Sequence, residues 1–276
     1  MDTPRVFDCF PFFNELDVLE IRLSELDALV DHFVIVEATR THTGKQKPLY
    51  FADNRKRYDR YAHKIIHVVV DDLPEGQADH WGREIFQRQA IVRGLGDARP
   101  DDRIISSDCD EIPKPDVLRR ALALPGLSHR IFVFWCENYF YRLNLRNDAH
   151  DHRLGPRLVT MSNLKSPNAV REIPFRFSKR PYLRSLTEPV AAVRTAKRLG
   201  KVLWPTILWG GAWHFTCMGD LTAVNVKFAS VAPHGGDETP KLSEAAYQRH
   251  LATFQKCSLT GLPPIIQEER FAHLVA

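Results

Sequence analysis

Between residues 6 and 107 four short apolar runs alternate with segments of helical character, and that rhythm confines the chain to a sheet with crossover helices. The runs are Val6–Phe13, Phe33–Val36, Ile65–Val70 and Arg103–Ser107. After the first, Leu16, Leu19, Leu23, Leu26 and Val30 recur at spacings of three and four, one apolar helix face. Asn14 is the expected N-cap, with Glu15 and Asp17 placed to meet the helix dipole. Glu37–Lys47 reads as a long polar loop turning at Gly44. A second helix is expected from Asp79 to Leu95, closed by Gly94 and Gly96. The expected fold class is α/β, a mostly parallel, doubly wound central sheet flanked by helices.

The second half follows a different pattern. Ile131–Tyr141 is apolar on both faces, which predicts a central strand. Residues 142–190 are rich in Arg, Pro and Asn and resist assignment. Lys201–Thr216 has strand character broken by Pro205 and Gly210-Gly211, and Tyr247–Gln255 suits a helix. With 276 residues and no internal repeat, the chain is read as one domain over 1–276, an N-terminal half to residue 125 and an elaborated half from 126. No run reaches the roughly 18 apolar residues of a membrane span. The polar start Met1–Arg5 and five scattered cysteines without a C-x-x-C pair lead to an expected cytoplasmic location.

The net charge of +4 conceals an asymmetry: residues 142–201 hold 14 Lys or Arg against 4 Asp or Glu. A stretch like this faces an anion or is simply a solvated surface. Nucleic acid is not the expected partner, because no helix-turn-helix, zinc-finger or aromatic-basic signature accompanies the charge.

In an open parallel sheet ligands sit outside the carboxyl ends of the strands. Glu37 follows the second run, and Asp108, Asp110 and Glu111 follow the fourth. Carboxylates at i and i+2 on an extended segment point the same way. They can hold a hard divalent cation while leaving positions for diphosphate oxygens. Taken blandly, Asp-x-Asp after a strand is only a polar turn. It is no EF-hand loop, since Pro113 stands sixth and Arg119 twelfth. Its place after the fourth strand also separates it from dehalogenase-type phosphatases, where the motif follows the first. Glu84 and Arg88 form an i,i+4 pair, either surface decoration or a diphosphate contact oriented by Glu84. His214, in Trp213-His214-Phe215, is either a hydrogen-bonded core histidine or a late metal or phosphate ligand. Asp148, His150, Asp151 and His152 are expected to be solvated. No Ser-His-Asp arrangement, Walker loop or G-x-G-x-x-G is present.

Several segments in order resemble glycosyltransferase family 17. They are Asp8–Asp17, Phe33–Thr39, Thr41–Lys45 with Lys47–Phe51, Trp81 with Arg88, Asp108–Pro113, and Trp213-His214-Phe215. The resemblance implies a GT-A-like fold with residues 1–125 binding nucleotide and 126–276 forming the acceptor half and C-terminal tail. It implies transfer of a sugar, N-acetylglucosamine in the family, from a UDP-sugar to a glycan in β-linkage, with Mn²⁺ or Mg²⁺. By position, Glu37 would lie near the uracil or ribose and Arg88 at the diphosphate. Asp108 and Asp110 would face ribose and metal, and His214 would be a further metal or diphosphate contact, so that Asp108, Asp110 and His214 form the expected metal set. The chain departs from the family in Ala212, where Gly usually precedes Trp-His, and in its polar N-terminus. The acceptor expected is therefore an N-glycan-like, acidic or lipid-linked glycan, with peripheral membrane contact through the basic region, in which Arg176, Lys179 and Arg180 stand out. β-Transfer from an α-linked donor needs inversion and a carboxylate base. Glu137, Glu172, Glu188 and Asp220 all qualify. The alternatives are a metal-dependent nucleotide-sugar hydrolase and a non-catalytic sugar-nucleotide-binding protein.

Overall fold

A computed structural model describes residues 3–73, 80–147, 154–175, 184–230 and 241–276. In chain order the N-terminal half runs β1 (Val6–Phe12), α1 (Leu16–Leu26), β2 (His32–Ala38), α2 (Tyr50–Asp53), β3 (Ile65–Val70), α3 (His80–Gln89), β4 (Arg103–Ser106), β5 (Glu111–Pro113) and α4 (Pro115–Ala123). The second half runs β6 (Arg130–Phe140), β7 (Leu145–Arg146), β8 (Leu154–Thr160), α5 (Pro167–Arg171), α6 (Arg184–Leu199), β9 (Trp204–Thr216), α7 (Leu221–Phe228), α8 (Glu244–Thr253) and β10 (Gln255–Lys256).

One ten-stranded sheet organises the chain. β3, β2, β1 and β4 lie side by side and parallel, in that order. From β4 outward the pairing turns antiparallel, to β8 and then β6, with β7 and β10 at the far edge. β9 joins β6 in parallel and carries β5 antiparallel on its other side. The α/β class is thus as expected, but the sheet as a whole is mixed, because the second half adds antiparallel pairs beside the parallel β6–β9 pair. The chain moves from β1 out to β3 and returns to place β4 on the other flank of β1. That reversal opens a crevice at the carboxyl ends of β1 and β4.

Both faces of the sheet are covered. Leu19, Leu23 and Leu26 of α1 pack with Val117, Leu118 and Ala121 of α4 and Phe10, Phe12, Phe132 and Phe134 of the sheet. On the opposite face Phe7, Cys9, Val34 and Val36 meet Ile91 after α3, Val170 of α5 and Ala191 and Leu199 of α6. The alternation along β1, with Phe7 and Cys9 to one side and Phe10 and Phe12 to the other, is what period-two burial on two covered faces produces. The first helix enters differently from expectation. Glu15 occupies the N-cap position without a capping side-chain bond, and its carboxylate instead accepts from the Phe13 and Asn14 amides. The second helix is α-helical only to Gln89 and tightens to a 3-10 turn over Ala90–Gly94. Gly94 is required there, since a Cβ would come within 2.4 Å of Val34. The expected strand Ile131–Tyr141 and helix Tyr247–Gln255 are β6 and α8, each displaced by one to three residues. Among the described residues no helix is long and apolar enough to cross a membrane.

Candidate active site

The loop after β4 is built from below by a single buried side chain. Arg22 of α1, fully buried, forms a two-pronged ion pair with buried Asp8 of β1 at 2.6 and 2.7 Å. Its remaining N–H groups donate to the carbonyls of Asp108, Cys109 and Glu111 and to the Ser107 hydroxyl. One guanidinium therefore satisfies three loop carbonyls and fixes Asp108–Glu111 against the sheet. β5 then pairs with β9, setting Glu111 opposite His214.

On this loop three cations each bridge two carboxylates. Arg88 of α3 lies 2.5 Å from Glu84 and 3.5 Å from Asp108. Arg171 of α5 reaches Asp108 at 2.9 Å and Glu111 at 2.6 Å. Lys227 of α7 spans Asp110 at 2.7 Å and Glu15 at 2.9 Å. With Glu172 at 3.9 Å from Arg88, six carboxylates thus surround three cations. Burial would raise the Asp110 carboxyl, but Lys227 and His214 hold it well below the usual carboxylate range. Asp108 is likewise held low: burial opposes ionisation, and Arg171 and Arg88 outweigh it. Burial would lower the Lys227 ammonium, yet Asp110 and Glu15 hold it well above its usual value. The Asp108 side chain keeps 42% of its surface exposed, the open mouth of an otherwise buried cluster.

His214 joins this cluster. Its Nδ1 lies 3.2 Å from the Asn138 side-chain oxygen, to which it donates. Nε2 lies 2.5 Å from the Thr216 hydroxyl oxygen and 3.4 Å from Asp110 Oδ1. A histidine nitrogen and a carboxylate oxygen set side by side are the donor types that can share a divalent metal. A carbonyl oxygen holding the far ring nitrogen is also how a ligating histidine is oriented. Asp110 and His214 therefore fit a divalent ion. Asp108 does not join them, because its two oxygens turn to Arg171 and Arg88. Among the described residues no three His, Cys, Asp or Glu side chains converge on a point that could hold a metal. The expected three-ligand set reduces to two, and water or substrate oxygens would complete the shell.

The structure brings Arg88, Asp108, Asp110 and His214 together and leaves Glu37 out. Glu37 is fully buried one strand away, where its oxygens accept from the Phe51 and Ala52 amides and meet Lys47 at 3.6 Å and His67 at 3.2 Å. It closes the start of α2 and offers no free oxygen to a nucleoside. The four candidate bases are spread apart. Glu172 is 3.9 Å from Arg88, Glu137 pairs with Lys114 at 2.9 Å, and Asp220 caps α7 through the Ala223 amide. The side chain of Glu188 lies outside the described residues, as do Asp148, His150, Asp151, His152, Arg176, Lys179 and Arg180. Arg171, Lys227 and Asn168, whose oxygen accepts from Arg88 at 3.0 Å, were not anticipated. Only the Ser166-Pro167 start of α5, a capping serine before a proline at the first helical position, signals that the region contains a helix at all.

Comparison with known proteins bears directly on this cluster. The family model for glycosyltransferase family 17 matches residues 1–160, which include β1 to β8 and the whole Asp108–Pro113 segment. The chain belongs to glycosyltransferase family 17. The β-1,4-mannosyl-glycoprotein 4-β-N-acetylglucosaminyltransferases of Rattus norvegicus and Homo sapiens are each 34% identical to this family 17 chain over 119 residues. The match covers 41% of the chain and 22% of either relative, so the chain corresponds to under a quarter of their length. Among solved structures, glucosyl-3-phosphoglycerate synthase from Mycobacterium tuberculosis aligns with a TM-score of 0.37 at 16% identity, covering 76% of this chain and 72% of that one. Inositol-1-phosphate CTP transferase from T. maritima gives 0.41 at 10% identity, covering 91% and 96%. Both likenesses are shallow, and family membership rests on the sequence match.

Proposed function

We propose that this chain is an inverting glycosyltransferase that moves a sugar, N-acetylglucosamine in the first instance, from a UDP-sugar to a glycan acceptor in β-linkage, on a GT-A-like framework. The observation that carries the reading is the Asp108–Asp110 loop at the β1/β4 crevice, ringed by Arg88, Arg171 and Lys227. Such a ring suits a diphosphate: the cations exchange some of their carboxylate contacts for phosphate oxygens and so hold the leaving group where charge builds. Arg88 favours this exchange, because its Nε is buried without a hydrogen-bond partner. Asp108, at the open mouth, would accept from ribose hydroxyls once Arg88 and Arg171 turn to phosphate oxygens. Asp110 and His214 would hold Mn²⁺ or Mg²⁺, which when bound supplies further charge neutralisation at the departing diphosphate.

The test is UDP release from a panel of UDP-sugars with Mn²⁺, with and without EDTA. Slow, EDTA-sensitive release from one preferred donor, lost in Asp110→Ala, supports the reading. Failure of any UDP-sugar to bind in calorimetry overturns it. Full turnover that is indifferent to every acceptor would favour the hydrolase alternative, and binding without turnover a sensor.

A second surface supports peripheral association with an anionic membrane on its cytoplasmic side. Val190, Val193, Val202 and Trp204 are exposed beside Arg194, Lys197, Arg198 and Lys201, and no acid occurs between Glu188 and Asp220. A lipid-linked acceptor would suit such a docked enzyme.

A further inference from the structure

β6 and β9 run in register to Phe134 opposite Leu208 and resume at Cys136 opposite Ala212. Trp135 alone therefore faces three residues, Trp209, Gly210 and Gly211. Bulges of this kind re-aim side chains and cluster beside active sites. Gly210 adopts the left-handed conformation, φ +57°, and a Cβ on Gly211 would come within 2.6 Å of the Leu208 carbonyl. The glycines thus allow β9 to fold back on itself, and the two indoles meet at 4.6 Å between ring centroids, tilted by 35°.

Beside them opens a cavity of about 250 Å³, lined by Trp135, Trp209, Glu137, Asn138, Arg146 and Asn147. It is smaller than the roughly 300–1,000 Å³ of sites for drug-sized ligands, and so the size of a single ring. Its chemistry is mixed in a particular way. Aromatic faces can cover the C–H face of a sugar, while a carboxylate, a carboxamide and a guanidinium can share its hydroxyls. Glu137 is held in place by Lys114 at 2.9 Å and the Tyr139 hydroxyl at 3.3 Å. Asn138 ties the cavity to the reaction centre, since this residue borders the cavity while its side-chain oxygen turns to His214, which faces Asp110.

We propose that this cavity is the acceptor subsite, binding one uncharged pyranose ring against Trp135 and Trp209 with its hydroxyls held by Glu137, Arg146 and Asn147. The assignment rests on the glycosyltransferase reading above. In the test, calorimetry and saturation-transfer NMR follow methyl β-D-mannopyranoside and methyl β-D-N-acetylglucosaminide with UDP present, on the wild-type chain and on Trp209→Ala, Trp209→Phe and Asn147→Ala. Binding of one pyranoside to the wild type, weakened at least tenfold in Trp209→Ala and largely kept in Trp209→Phe, supports the subsite. Should Trp209→Ala fail to fold, a weakening of at least threefold in Asn147→Ala serves instead. Equal affinity in all variants, or no binding of either pyranoside to a wild type that binds UDP, overturns it. A wild type that binds pyranoside but not UDP keeps the cavity and overturns the donor reading.

Discussion

At the residue scale, Lys227 is a cation anchored where a metal would compete. Its ammonium bridges Asp110 and Glu15, and it is tied to the protein through α7. Substituting Lys227→Met leaves two carboxylates facing one another without a counter-ion. Two outcomes follow from the same charge. Affinity for Mn²⁺ without nucleotide, measured by calorimetry, should rise about tenfold, the equivalent of about 1.4 kcal/mol. Affinity for UDP should fall if the proposed diphosphate site is right, since one of its three cations is gone. Unchanged Mn²⁺ affinity would show that Lys227 and the metal do not share Asp110. Asp110→Ala should cut UDP release by about 10²- to 10³-fold, the range for losing one pre-organised electrostatic contact, while circular dichroism stays native. Protonation of Asp108 or Asp110 should not set the acid limb of a pH–rate profile, because both are held well below the usual carboxylate range, and Asp110→Ala should leave the position of that limb unchanged.

At the element scale, the loop after β4 depends on α1. Removing Arg22 orphans Asp8 and three carbonyls at once, so Arg22→Met should destabilise the fold by about 3–5 kcal/mol, the cost of breaking a buried pair, as read by urea unfolding. Asp102 makes a second such tie. It accepts from the Arg5 and Arg99 amides and guanidinium groups, joining the start of β1 to the approach to β4. Burial opposes its ionisation, but these donors lower its pKa to about 2. A depressed acid gives stability that is complete above its unfolded value, about 3.9, and is lost as pH falls through the folded one. Wild type should therefore lose about 2 kcal/mol more than Asp102→Asn between pH 5 and pH 2 in thermal melts. The apolar runs made β1 to β4 and the Leu face of α1 legible, because burial on a two-sided sheet dictates those residue types. They also placed Asp108 and Asp110 correctly at a strand end. Arg171 and Lys227 stayed hidden, because each meets the loop only through contacts 60 to 117 residues apart in sequence. Glu37 misled for the converse reason: an acid at a strand end looks the same whether it faces a ligand or closes a helix.

At the scale of the molecule, charge is divided between the two halves. The acidic cluster lies in the β1/β4 crevice, while the basic excess of residues 142–201 continues onto α6 and the turn into β9. There Val193 and Val202 are 68% and 58% exposed beside four cations with no acid among them in the sequence. Apolar side chains flanked by cations gain on an anionic bilayer from both insertion and attraction, about 1 kcal/mol for each Lys or Arg near the surface. Binding of this origin weakens with salt, since charges farther apart than about 10 Å are screened at 0.1 M. The chain should co-sediment with phosphatidylserine-containing vesicles at low salt, and less with pure phosphatidylcholine vesicles. Val193→Glu combined with Lys197→Glu should reduce the bound fraction at least tenfold while UDP affinity holds, because neither residue touches the crevice. Equal binding to neutral and anionic vesicles would assign the surface to something other than a charged membrane. Loss of vesicle binding together with UDP binding would mean that α6 supports the site structurally, through Val170 and Ala191 in the core beneath the sheet.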